Sequence, residues 1–344
     1  MARYFQVASK KLNHHYKNKI SDFSNWEQKE HADNYLIFPE NIGKNLSIDE
    51  VSLSNGELYT FVTNKSGCGK KGTIVAVIFG TKAKDIQMVL ELIELNSREL
   101  VKEVTLDMAK NMELGIRSAF PNAVLVTDRF HVVKLALDSL QQIRVKLRWK
   151  EMDKENDNIS KLKTLKKEYE KALKDCGNDT KKGNKIKRKY ELNKQEYQTV
   201  EHENGDTPKQ LLARSRYIIA KKEEQWTENQ KERAFILFRI YPQLKTAYHE
   251  VLAFRNIYEQ KCKNKARIQM ESWIQKVHTN EMKEFYSVAN TVENNLENIL
   301  NFFNQRSTNA NAESFNAKIK LFRANQRGVK DTKFFLFRLS KLFA

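Results

Sequence analysis

Three stretches of the chain, residues 46–53, 59–64 and 73–79, are short and rich in β-branched and aromatic residues, and are divided by Ser54-Asn55-Gly56 and by the glycine cluster from Gly67 to Gly72. This pattern predicts three successive strands joined as hairpins. After Gly80 the apolar period lengthens, and Ile86, Val89, Leu90 and Ile93 take the spacing of one helix face. A strand ending at Asp107, a short helix carrying Leu114, Ile116 and Phe120, and a strand over 123–127 complete the run. From about Val132 to Asn304 the pattern is almost wholly helical, with Leu162, Leu165, Tyr169 and Leu173 as an apolar stripe among lysines. Thr227 with Gln230 makes a capping box ahead of the apolar run 234–238. Residues 309–344 return to helical spacing, with Phe315, Ile319 and Phe322 on one side.

The order strand, strand, strand, helix, strand, helix, strand is that of a ribonuclease H-like α/β fold, a mixed sheet covered by helices on both faces. The helical stretch then becomes a long all-helical insertion ahead of the last helix. The expected organisation is an N-terminal entry segment (1–40, polar and weakly helical), the first part of the core (41–135), a helical insertion domain (136–304) and the final helix region of the core (305–344).

Composition narrows the function. The chain has 344 residues, 40% of them hydrophobic, enough for one large domain or two moderate ones with real cores. Sixty-one Lys plus Arg against 43 Asp plus Glu give a formal charge of +18, spread along the chain, which points to a polyanionic partner. Cys68, Cys176 and Cys262 lie far apart, without the paired spacing of a zinc site or a disulfide framework. No apolar run approaches the ~20 residues that span a bilayer, and the N-terminus lacks the apolar core of a signal peptide. The expectation is a soluble, intracellular protein.

Three acids stand where metal-assisted phosphoryl transfer would use them. Asp49 lies inside the first predicted strand among Leu46, Ile48, Val51 and Leu53, and an acid in an apolar strand is costly unless paired or bound to a metal. Asp49 and Glu50 point to opposite faces, so only one can join a given site. For a second acid there are two candidates, Asp107 after Val104-Thr105-Leu106 and Asp128 after Val124-Leu125-Val126-Thr127. With the fourth strand beside the first and the fifth beyond it, Asp107 sits ~4.8 Å from the first strand and Asp128 about twice as far. Geometry favours Asp107, leaving Asp128 as a structural or supporting acid, paired with Arg129. Glu313 stands in the first turn of the last helical stretch, where the helix dipole also favours an acid.

The chain resembles the DDE transposases of bacterial insertion sequences, in the ISL-three branch, distantly similar to the Mutator-like group. The carriers are Ser47-Ile48-Asp49-Glu50-Val51-Ser52-Leu53, Leu106-Asp107-Met108, Phe120-Pro121-Asn122-Ala123 running into Thr127-Asp128-Arg129-Phe130-His131-Val132-Val133-Lys134-Leu135, and Ser307-Thr308-Asn309 with Ala312-Glu313-Ser314-Phe315-Asn316-Ala317-Lys318-Ile319-Lys320. The resemblance implies Asp49, Asp107 and Glu313 as a catalytic and metal-binding triad for two Mg²⁺ ions, with Mn²⁺ able to substitute. It implies cleavage of double-stranded DNA at element ends and strand transfer into target DNA, by a homo-dimer or higher oligomer in the bacterial cytoplasm, associated with the nucleoid. Family members usually carry a zinc-binding and helix-turn-helix region before the first aspartate. About forty residues precede it here, without suitable Cys/His spacing, so the expectation is either a separately encoded DNA-binding partner or a chain that is part of a longer one.

Lys318, Lys320, Arg323 and Arg327, close in sequence to Glu313, are candidates for gripping DNA near the chemistry, and Lys185, Lys187, Arg188 and Lys189 in the densest basic run for sequence-independent phosphate contact. His131 reads more readily as a hydrogen-bonded anchor for the following helix than as a metal ligand. Gly67-Cys68-Gly69-Lys70-Lys71-Gly72 joins two strands and lacks P-loop spacing, so it reads as a solvated turn. Trp149, Trp226 and Trp273 read as helical core, with base stacking the sharper alternative. Two other functions share these features: a ribonuclease H-like nuclease or resolvase that stops at hydrolysis, and a domesticated, non-catalytic DNA-binding protein.

Overall fold

A computed structural model describes residues 7–53, 56–177 and 180–344. Its strands are β1 Tyr35–Ile37, β2 Asn45–Ser52, β3 Leu58–Asn64, β4 Ile74–Phe79, β5 Glu103–Leu106 and β6 Val124–Thr127, and they form one mixed sheet in the order β1-β4-β3-β2-β5-β6. Strands β1 to β4 pair antiparallel, whereas β2–β5 and β5–β6 are parallel. The five strands expected from the sequence are present within a residue or so. Ser54 and Asn55 of the predicted β2–β3 turn lie outside the described residues. β1 is an addition inside the stretch expected to be weakly helical. Three residues are too few for alternation to register, and the neighbouring Phe38 amide joins the sheet by donating to Val75 O at 2.8 Å.

The helices, in chain order, are α1 Ser9–His15, α2 Ala83–Leu90, α3 Leu95–Glu99, α4 Lys110–Ala119, α5 Arg129–Cys176, α6 Thr180–Glu196, α7 Pro208–Arg214, α8 Glu228–Ile240, α9 Pro242–Ile257, α10 Lys263–Thr279, α11 Tyr286–Asn294, α12 Leu296–Leu300, α13 Phe302–Gln305, α14 Ala310–Asn325 and α15 Thr332–Phe343. The chain divides into two compact units, one of residues 1–132, 260–272 and 290–344, the other of 133–259 and 273–289.

The first unit holds the sheet, and its two faces carry separate cores. On one, Leu46, Ile48 and Val62 pack with Ile86, Leu90, Met112 and Ile116 from α2 and α4. On the other, Val51, Phe61 and Val77 pack with Phe315 and Ile319 of α14 and Leu336 of α15. Alternation along β2 therefore sends Ile48 toward α2 and α4, and Ser47, Asp49 and Val51 toward α14. The expected apolar face of α4 needs correction: Leu114 is 60% exposed, because it lies about 200° around the helix from Ile116, and Met112 and Ala119 are buried in its place. The last helical stretch is two helices, not one. After α14 the backbone turns through Arg327 (φ 58°) and Gly328 (φ 100°), and the Gly328 amide donates to Arg323 O at 3.1 Å, a left-handed stop that glycine tolerates.

In the second unit Leu162, Leu165 and Tyr169 of α5 are half-buried, and Tyr169 stacks on Tyr190 of α6 with ring centroids 4.3 Å apart. Leu173, expected in that stripe, is 37% exposed. The capping box at Thr227 and Gln230 forms, and a second one, Thr207 with Gln210, starts α7. The Asp206 carboxylate is buried between Arg214 and Arg233, the latter at 2.8 Å. Trp273 is core and donates from its indole to Glu250 O at 3.1 Å, whereas Trp149 is 58% exposed. Among the described residues no helix is long and apolar enough to cross a membrane.

Candidate active site

The sheet register levels three acids. The parallel pairing Ser47↔Thr105, continued two residues, sets Asp49 beside Asp107, and the pairing Leu106↔Thr127, continued one residue, sets Asp107 beside Asp128. Neighbouring strands lie ~4.8 Å apart, so Asp49, inside β2, and Asp107 and Asp128, just past the ends of β5 and β6, form a row across the sheet.

Helix α14 meets this row side-on. Asn309, at its N-cap, donates its backbone amide to Asp128 Oδ1 at 3.1 Å, and Asn316 donates from Nδ2 to Asp49 Oδ2 at 2.7 Å. Glu313 lies between them, one helical turn from each. His131, in the first turn of α5, completes the group: its Nδ1 is 3.1 Å from Asp128 Oδ2, and its Nε2 is 4.0 Å from Asp107 Oδ2. Ligand atoms of Asp128, His131 and Glu313 all fall within 4.8 Å of one another.

Burial and crowding set the charges. Burial pushes the Asp49 carboxyl above its ordinary value and the Asp107 charge adds to that, against the lowering pull of the Glu50 amide, His131 and Asn316. Burial also raises Glu313, reinforced by Asp128 and Asp49. Asp128 goes the other way. Burial opposes its charge, but the hydrogen bond with His131 and the Asn309 amide outweigh it and hold its pKa low. His131 is raised in turn, chiefly by that hydrogen bond. Four carboxylates thus face one imidazole, with two of them resisting ionisation. Beside the row, the Ser47 hydroxyl, two residues before Asp49, and the carboxamide of Asn309 are buried and make no hydrogen bond. Such a set of hard oxygen donors fits divalent cations such as Mg²⁺.

Beneath the row lies a second polar group. Glu103 of β5, 5% exposed, accepts from Lys65 Nζ at 2.9 Å and from Ser307 Oγ at 2.9 Å. Lys65 also donates to Thr105, and its carbonyl accepts from Asn311 Nδ2 at 3.3 Å. Lys65 opens the turn between β3 and β4, while Ser307 and Asn311 flank the start of α14, so these contacts fasten the helix that carries Glu313 to the sheet.

The structure brings together all three sequence-predicted acids and draws in Asp128 and His131, which were assigned supporting places. Asp128, read as a structural or supporting acid, meets α14 through the Asn309 amide and pairs with His131 rather than standing apart from the site. Asn309 and Asn316 carried no role in the sequence reading; the signal was their one-turn spacing around Glu313. The predicted DNA contacts are spread out. Lys318 donates to Gly69 O at 2.7 Å and so braces the glycine-rich turn. Lys320 and Arg327 are exposed, Arg323 is half-buried, and Lys185, Lys187, Arg188 and Lys189 are exposed on α6 in the other unit.

A search of curated proteins and a search of solved structures each found no match. The family model of the ISL-three DDE transposases, described as a transposase, matches residues 46–339. That span runs from β2 into α15 and includes each acid of the cluster, as well as His131 and the asparagines that hold them, and on it the chain belongs to the ISL-three branch of the DDE transposases.

Proposed function

We propose that this transposase cuts DNA at element ends and joins the freed strand to target DNA by two-metal phosphoryl transfer on a ribonuclease H-like core. The observation that carries the reading is the row Asp49, Asp107, Asp128, level across three adjacent strands and faced by Glu313. In this reading residues 1–40 are the entry segment, 41–135 and 305–344 the two parts of that core, and 136–304 the helical insertion, although 260–272 and 290–304 belong to the compact unit that holds the sheet.

Divalent ions such as Mg²⁺, held by these carboxylates, would supply Lewis-acid stabilisation of the charge that develops on the phosphodiester oxygens. Asp49, Asp107 and Glu313 would hold the ions, with Asp49 as the acid shared between them. Asn316 fixes the rotamer of Asp49 by its hydrogen bond. Asp128 and His131 hold each other, and Asp128 holds the first turn of α14 through the Asn309 amide, so both orient Glu313. Lys320, Arg323 and Arg327, with Lys318 as a brace, and Lys185, Lys187, Arg188 and Lys189 on α6 supply phosphate contacts. The substrate is double-stranded DNA, engaged by a dimer or larger assembly.

The test is cleavage and joining of labelled duplexes taken from the DNA flanking the gene, in Mg²⁺ and in Mn²⁺. Asp49→Ala, Asp107→Ala and Glu313→Ala should each abolish both reactions. Metal-dependent cleavage that survives all three substitutions would refute the mechanism, and cleavage without joining would reduce it to a nuclease.

A further inference from the structure

In the helical unit a cleft of about 470 Å³ opens beside α8, a volume in the range of small-ligand sites. One wall is aromatic: Trp226, Phe235 and Phe238. Two of these rings are fixed from behind. Trp226 donates from Nε1 to Ile218 O at 2.8 Å and stacks on Tyr248 at 5.7 Å, and Phe238 lies 5.3 Å from the same Tyr248 ring. Phe235 has no such backing on its outer side and is 67% exposed. The rim is basic, with Lys231, Arg239 and Lys245, and holds one acid, Glu223. Lys231 pairs with Glu228 at 2.8 Å and Arg239 with Glu203 at 2.7 Å, while the Arg239 guanidinium also lies over the Phe235 ring at 5.7 Å. Among the described residues Lys245 has no ion-pair partner.

An exposed aromatic face next to fixed ones, beside unneutralised positive charge, is what an unpaired nucleotide needs: a π surface for the base and a cation for its phosphate. We propose that this cleft binds a single nucleotide turned out of the DNA, its base stacked against Phe235 and Trp226 and its phosphate near Lys245. Choosing DNA as the source rests on the transposase reading above; the nucleotide chemistry of the cleft does not. A duplex nucleotide must be unstacked before it can enter, which is least costly at a mismatch, a bulge or a strand end.

The experiment uses the full chain in EDTA, so that no strand is cut, with a duplex bearing one bulged 2-aminopurine and a fully paired duplex of equal length. The wild type should bind the bulged duplex about tenfold more tightly, the scale of one base–aromatic stack, and quench the 2-aminopurine. Phe235→Ala should reduce that ratio to about one while leaving paired-duplex affinity unchanged. Phe235→Trp should retain it, and Lys245→Gln should weaken the bulged complex several-fold while the quench at saturation persists. No preference in the wild type, or an equal preference in Phe235→Ala, would overturn the proposal and mark Phe235 as an incidental exposed ring. Competition by free 2-aminopurine deoxyribonucleotide at concentrations matching the DNA would overturn DNA as the source. The same measurements on Asp49→Ala keep the two readings apart, since the bulge preference should survive there whether or not the wild type cleaves.

Discussion

The Glu103 network offers a direct test of how the third acid is held. Glu103→Gln is nearly isosteric and can still accept from Ser307, but it leaves the Lys65 ammonium facing an amide. The two side chains are 7% and 13% exposed, so neither is fully hydrated. Breaking a buried ion pair from one side costs about 3–5 kcal/mol. Lys65 keeps Thr105 as a partner, which puts the expected loss nearer 2–3 kcal/mol, about the worth of one hydrogen bond to a charged group. Lys65→Met should cost a similar amount, because it strands the carboxylate. The double variant should be less destabilised than the sum of the two by about 1–2 kcal/mol, within the coupling seen for direct partners. Hydrogen exchange of β2 and β5 peptides reads the opening of this unit without requiring the two-unit chain to unfold in one step. Glu103→Gln should also weaken Mg²⁺ binding, since Ser307 and Asn311 flank the start of α14. A single-variant loss below about 0.5 kcal/mol, or additivity within that margin, would refute the reasoning.

Three further outcomes follow from charge and packing. Asp49 has its pKa raised in the folded protein, so the unfolded chain ionises first; this contribution to metal-free stability is present below the unfolded pKa and is lost as pH rises through the folded one. Asp49→Asn should therefore raise the melting temperature of the metal-free protein at neutral pH and reduce the stabilisation on adding Mg²⁺, and a lowered metal-free melting temperature would contradict it. At Asp206 burial opposes the charge, but hydrogen bonds from Arg233 and Arg214 hold the pKa low, so that stability is present above the unfolded value and lost as pH falls through the folded one. Asp206→Asn should cost about 2–4 kcal/mol at pH 7 and flatten the acid limb of exchange protection in the helical unit; an unchanged limb would contradict it. Gly115→Ala improves helix propensity by about 1 kcal/mol, yet the new Cβ would stand 2.9 Å from Ala83 O and 3.0 Å from Ile86 Cγ2. Overpacking of this kind costs about 1–3 kcal/mol, so thermal melting should show a net loss, and a gain would mean that α2 and α4 separate freely.

Strand alternation and turn chemistry made the sheet readable, because each strand from β2 to β6 buries at least one apolar face and so keeps its period. β1 escaped because three residues carry no period, and Leu114 was misassigned because a ten-residue helix leaves room for more than one apolar stripe. The site was legible in a different measure. Asp49 was marked by its cost inside an apolar strand, and Asp107 by adjacency in the sheet. Asp128 read as a supporting acid, but its partners did not show, because sheet order gives lateral distance between strands and says nothing of a helix laid across them. The same limit hid Asn309 and Asn316, whose partners lie 181 and 267 residues away in sequence. The cleft at Phe235 shows the limit from the other side. An apolar run at helical spacing reads as core, and only packing reveals which of its rings is left outside.

Polar tethers rather than apolar packing set the position of Glu313. Phe315 and Ile319 bury the far face of α14, but an apolar contact is non-directional and leaves a helix free to rotate or slide by fractions of a turn. Rotation by one residue, 100°, would carry Glu313 away from the acid row. Four hydrogen bonds oppose this: Ser307 to Glu103, Asn309 to Asp128, Asn311 to Lys65 and Asn316 to Asp49. Two of the four end on acids of the cluster, so the carboxylates that repel Glu313 also hold the helix that presents it. Cations held by the site would relieve that repulsion.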